Sequence, residues 1–96
     1  MVAITKMAQR MVFSGNQLRA ARALLGLNQI DFAELLGVAI NTVRIMEGRG
    51  AGPVGGHAST HERIREALER EGVDLLNDGE EGVRLRKSRK ASKRGR

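Results

Sequence analysis

Seven cations stand with no acid among them at the C-terminal end of the 96-residue chain: Arg86, Lys87, Arg89, Lys90, Lys93, Arg94 and Arg96. Such a run suits a polyanion, most often nucleic acid, although it also serves as a solvated tail. It locates the net charge of +6, which comes from 17 Lys and Arg against 11 Asp and Glu. Setting the seven aside leaves ten cations against eleven acids, so residues 1–85 sum to −1. Other constellations carry less chemistry. His57 and His61 are four residues apart, the spacing of two metal ligands on one helix, but His57 lies in a Gly-rich stretch. No Cys or carboxylate cluster accompanies them, so no metal site is expected. The glycines of Gly48–Ala58 (GRGAGPVGGHA) follow no strand and precede no Gly-Lys-Ser/Thr. They read as a linker rather than a phosphate-binding loop. The absence of Cys excludes disulfides and cysteine catalysis, and no Ser/His/Asp set sits on a nucleophile elbow. No catalytic residue, no cofactor and no enzymatic activity are expected.

A chain of this length makes one small domain with short extras. It is 41% hydrophobic and 29% charged, and its only aromatic residues are Phe13 and Phe32. The core must therefore be aliphatic, with Met filling gaps. So small a chain is marginal alone, and a second copy is the usual remedy without metals or disulfides. No apolar run approaches the roughly 20 residues of a membrane span. Nor does the N-terminal end resemble a signal peptide, so a cytoplasmic location is expected.

Four helices and a hairpin must position whatever the chain binds. Residues 1–13 show no period and read as a flexible leader. Ser14 and Gln17 form a capping-box pattern that opens a helix over 14–26, with Leu18, Ala21 and Leu25 on one stripe and Gly26 as the stop. Asn28 caps a second helix over 28–36, whose Phe32, Ala33 and Leu36 face inward before Gly37. A third helix spans about 40–47, with Val43 and Met46 inward. Only Gly37-Val38-Ala39 separates it from the second, which forces a steep crossing. Ser59 and Glu62 suggest a second capping box opening a fourth helix that ends at Gly72. The alternating segments 73–76 and 82–86 flank Asn77-Asp78-Gly79-Glu80-Glu81 and predict a β-hairpin. Its face of Val73, Leu75, Val83 and Leu85 must pack on the helices or on a second subunit.

The run from Leu27 to Gly48 resembles the lambda repressor/Cro-like helix-turn-helix family, also called the xenobiotic-response-element (XRE) family. The matching residues are Gln29 opening the second helix, Ala33 in its middle, Gly37 in the turn, Val43 in the third helix and Glu47-Gly48 at its end. Leu18-Arg19-Ala20-Ala21-Arg22 resembles the family's first helix, and the likeness covers about residues 14–71. The resemblance implies a mainly α, four-helix DNA-binding domain, here followed by a hairpin at 72–86 and a basic disordered tail at 87–96. It also implies that the third helix enters the major groove. By position, Ile40, Asn41 and Ile45 would contact bases, and Asn28, Gln29, Thr42, Arg44 and Arg49 would contact phosphates. The side chains suit these roles: an Asn amide matches adenine N7 and N6, and an exposed Ile can touch a thymine methyl. Two departures stand out. Ala39 replaces a common Ser or Thr cap, and Ile40 and Ile45 replace residues that are more often polar. For Ile40 and Ile45, packing against the body or a partner is the alternative.

The function implied is a sequence-specific transcriptional regulator, a repressor acting as a homodimer on a palindromic duplex operator. Two alternatives stay open. One is an antitoxin that binds a toxin and represses its own operon. The other is a protein-interaction module of coactivator type, which the near-neutral body favours.

Overall fold

A computed structural model describes residues 13–77 and 81–86. The expected leader up to residue 12 and the basic tail at 87–96 lie outside the described residues. Among the described residues the chain runs through four helices, α1 (Gly15–Leu25), α2 (Gln29–Leu36), α3 (Ile40–Glu47) and α4 (Ala58–Arg70). An antiparallel hairpin follows, β1 (Val73–Leu76) and β2 (Gly82–Leu85). The fold is mainly helical with a C-terminal two-stranded sheet.

Local side-chain hydrogen bonding caps two of the four helix starts. Both halves of the capping box form at α1: Gln17 N–H donates to Ser14 Oγ at 3.0 Å, and Ser14 N–H donates to Gln17 Oε1 at 3.1 Å. At α2 the Asp31 N–H donates to Asn28 Oδ1 at 2.8 Å. Ala39 precedes α3 with no side-chain cap. Helix α4 departs from expectation. It begins at Ala58 with His57 in the N-cap position and no side-chain cap, so Ser59 already lies within the first turn. The ring of His61 hydrogen-bonds the Gly55 carbonyl and packs edge-on against Phe13, with ring centroids 5.5 Å apart. That contact ties the opening turn to the preceding loop.

Two further expectations are corrected. Phe13 is no part of a leader: it is 1% exposed and among the largest fully buried side chains. Burying such a ring contributes about 1.5–3 kcal/mol. The Gly-rich stretch is no loose linker either. It turns back along the entry to α1, where Val54 N–H donates to Phe13 C=O at 3.1 Å, Gly15 N–H to Gly52 C=O at 3.2 Å and Asn16 N–H to Gly50 C=O at 2.8 Å. Val54 thereby reaches the core. The bonds from Gly15 and Asn16 satisfy first-turn N–H groups that no intrahelical carbonyl can reach.

The core joins Leu18 and Ala21 of α1, Phe32 and Leu36 of α2, Val43 and Met46 of α3, and Ile64, Ala67 and Leu68 of α4. The hairpin completes it. Val73 pairs with Leu85 and Leu75 with Val83. Val73 and Leu75 are buried, Val83 is half-buried and Leu85 is exposed. β1 packs on α4 and β2 on α1. The buried Gln17 fastens the two strands to α1, its Nε2 donating to Leu76 C=O at 3.0 Å and Gly82 C=O at 2.8 Å. The hairpin's apolar face is thus largely spent on the chain's own helices.

The first turn of α1 lies directly against the end of α3. A Cβ at Gly15 would sit 2.4 Å from the Met46 carbonyl oxygen and 2.9 Å from that of Glu47. Both neighbours are backbone, so neither can swing aside. Gly15→Ala is expected to lower the unfolding free energy by about 1–3 kcal/mol. Urea titration checks this, and an unchanged midpoint would mean that the two helices part at no cost.

Candidate functional site

Helix α3 shows two faces. Val43, Met46 and Glu47 are buried, at the i, i+3, i+4 spacing of an inward stripe. Asn41, Arg44 and Ile45 are exposed on the opposite side, while Ile40 and Thr42 are half-buried. Helix α2 leads into α3 through Gly37-Val38-Ala39. Gly37, at φ 74°, closes α2, and Val38 leans on the core while its N–H donates to Ala33 C=O at 3.1 Å. So short a connection leaves α3 little freedom relative to α2.

An ionic network fixes the far end of α3. The Glu47 side chain is only 5% exposed. Arg22 grips it in a bidentate pair, Nε donating to Oε2 at 2.7 Å and Nη2 to Oε1 at 3.0 Å. Gln29 Nε2 also donates to Oε1, at 3.1 Å. Arg22 Nη1 donates to the Leu27 carbonyl at 3.2 Å. One carboxylate therefore joins α1, the start of α2 and the end of α3. The hydrogen bond to Glu47 raises the Arg22 pKa above its ordinary value, against the opposing effect of partial burial, and the carboxylate's charge adds to the rise. Arg22 is therefore charged at any working pH.

The expected site residues are brought together in part. Asn41, Thr42, Arg44 and Ile45 lie along α3 with Ile40 at its start. Ile40 packs against the core, so its side chain is only partly available to a ligand. Asn28 and Gln29 open α2, but both side chains have work inside the protein, Asn28 as cap and Gln29 as brace on Glu47. Their helix-end N–H groups remain suited to an anion. Arg49 follows the opposite end of α3 from Asn41, and its guanidinium lies beside Gly55 in the loop. His57 and His61 serve the start of α4, and no group of three or more His, Cys, Asp or Glu is placed to hold a metal among the described residues. Among the same residues no helix is long and apolar enough to cross a membrane.

Sequence reasoning passed over Arg22 and Glu47 as a pair. A signal existed, since Glu47 falls on the inward stripe of Val43 and Met46, where an acid requires a partner. It also passed over Ile30, which is 58% exposed on the first turn of α2. The chain matches no protein-family model, and a comparison with curated proteins finds no match.

Glu47→Gln is expected to cost about 1.5–3 kcal/mol of stability, because a charge-assisted bidentate pair becomes a neutral contact. Thermal or denaturant unfolding checks it. A variant as stable as the parent would show that the network is ornamental to the packing.

Proposed function

We propose that the chain is a sequence-specific DNA-binding transcriptional regulator of helix-turn-helix type, acting in the cytoplasm as a homodimeric repressor on a palindromic operator. It is a binder rather than a catalyst, and the lambda repressor/Cro-like family is the one it resembles. The observation that carries the reading is the pose of α3. Its inner face is locked by Val43, Met46 and Glu47, and its outer face offers Asn41, Arg44 and Ile45 to solvent. A helix held rigidly at one edge of a small domain, with a polar outer stripe near its N-terminus, suits the major groove. The N-terminus of α2 beside it suits a backbone phosphate.

Dimerisation has a structural candidate. Arg86 N–H donates to Gly72 C=O at 2.7 Å, so along the antiparallel register Val83 and Leu85 turn their backbone groups away from β1. Among the described residues no third strand pairs with this edge of β2, and it can pair with the same edge of a second copy across a two-fold axis. Sedimentation of the full chain at the concentration used for DNA binding checks this: a dimer is expected, and a monomer bound to a full palindrome would contradict it.

One observation favours the protein-interaction alternative. Among the described residues nine Arg face nine Asp and Glu, so the body has no net charge to draw it to DNA. On the DNA-binding reading the tail supplies that attraction. Arg86 itself belongs to the folded body, its guanidinium donating to the Glu69 carbonyl at 2.8 Å and approaching Asp74 at 3.4 Å. The relevant truncation therefore ends at Arg86.

Gel-shift titration on duplexes selected from a random pool tests the reading. Asn41→Ala is expected to weaken specific binding by about 1–3 kcal/mol and to leave non-specific binding nearly intact. Equal losses in both would remove Asn41 as a base reader. In the same assay, ending the chain at Arg86 should weaken all sequences alike. It should also flatten the slope of log affinity against log salt by roughly 0.9 for each phosphate that the tail neutralises. Identical slopes would show that the tail does not touch the backbone.

A further inference from the structure

We propose that α3 selects A·T base pairs, and that Ile45 reads thymine through its 5-methyl group. The inference rests on the DNA-binding reading above and names the class of duplex that reading requires. Asn41 and Ile45 are both exposed and stand four residues apart, so they are neighbours on one helix face, with Cβ atoms about 5–6 Å apart. That distance spans adjacent bases, which are spaced about 3.4 Å along a strand.

Each base offers the major groove a different surface. Adenine presents an acceptor and a donor that an Asn amide matches in a bidentate pair. Thymine presents an acceptor oxygen and a methyl group, and the methyl is rewarded by an apolar group such as an exposed aliphatic side chain. Guanine calls for Arg or Lys, and cytosine for an acid. The exposed residues of α3 include no acid and no Lys, and Arg44 is the single cation. Arg44 also neighbours Asn41, three residues away, but lies about 100° around the helix from Ile45, off the line that joins Asn41 and Ile45. Along that line the chemistry is an amide beside an aliphatic group, which serves adenine and thymine.

The state of Ile45 supports the assignment. It is 58% exposed and takes no part in the core, whereas Ile40, five residues earlier, packs against it. Its β-branch restricts χ1 in a helix to one strongly preferred rotamer, so the side chain projects stiffly and loses little entropy on contact. A lone exposed Ile is ordinary on a protein surface. Its place beside an exposed Asn on a rigidly held helix is what gives it a partner.

The test uses the full chain and a duplex enriched from a random pool. Each thymidine is replaced singly by deoxyuridine, which keeps every hydrogen-bonding edge and removes only the methyl group. The parent protein is expected to lose about fourfold in affinity at one position in each half-site, the equivalent of one buried methyl group. Ile45→Ala, at a solvent-exposed position, should bind the parent duplex about fourfold more weakly and should no longer distinguish thymine from uracil there. Losses from Ile45→Ala and deoxyuridine that multiply would overturn the methyl contact. So would indifference of the parent protein to every deoxyuridine, with Asn41→Ala still impaired. G·C pairs dominating the enriched half-sites would overturn the A·T preference. Failure to enrich any duplex would overturn the DNA-binding reading itself, an outcome distinct from the others.

Discussion

A carboxylate withdrawn from water must find strong partners, and Glu47 imposes that requirement on this protein. Its side chain is 5% exposed, and Arg22 and Gln29 converge on it from α1 and α2. The three groups satisfy one another only when the three helices meet in one arrangement. Leu, Val and Phe contacts would tolerate some sliding between helices, because apolar burial is not directional. A bidentate guanidinium–carboxylate pair at 2.7 and 3.0 Å does not. The network therefore selects, among packings of similar burial, the one that turns Asn41, Arg44 and Ile45 outward.

The rest of the fold supports that arrangement from behind. The end of α3 sits so close to the start of α1 that Gly15 has no room for a side chain. The loop at 50–54 returns to bond the entry of α1 and seals Phe13 into the core. Gln17 then carries the constraint to the hairpin through two backbone carbonyls. A small domain with two aromatic residues gains rigidity here from polar bonds placed at its helix ends as well as from its core.

Legibility in the sequence followed the range of the interaction. Ser14 with Gln17 and Asn28 with Asp31 announced helix starts because capping needs only a neighbour three residues away. The hairpin and the shared face of Val73, Leu75, Val83 and Leu85 followed from alternation and from the loop, and the register pairs these residues. Phe13 and the Gly-rich stretch were misjudged because their partners are remote along the chain: Val54 N–H donates to Phe13 C=O, and the His61 ring packs on that of Phe13. The start of α4 moved because His61 answers to Phe13 and the Gly55 carbonyl rather than to a local cap. At the candidate site, the outward position of Asn41 was readable from helical phase, whereas Ile45 stood open between solvent and packing until the fold placed it outward. The engagement of Gln29 with Glu47, 18 residues away, and the Arg22 pair, 25 residues apart, were not read, because nothing local signals a partner so distant along the chain.

On the proposed function, the outer face of α3, held by this network, is the surface that meets DNA. Amide NMR of the full chain titrated with a selected duplex reads this out residue by residue. The largest shifts are expected at residues 28–30 and 40–45, with α4 and β1 little changed. Shifts centred on α4 or the hairpin, with the amides of α3 unmoved, would contradict it.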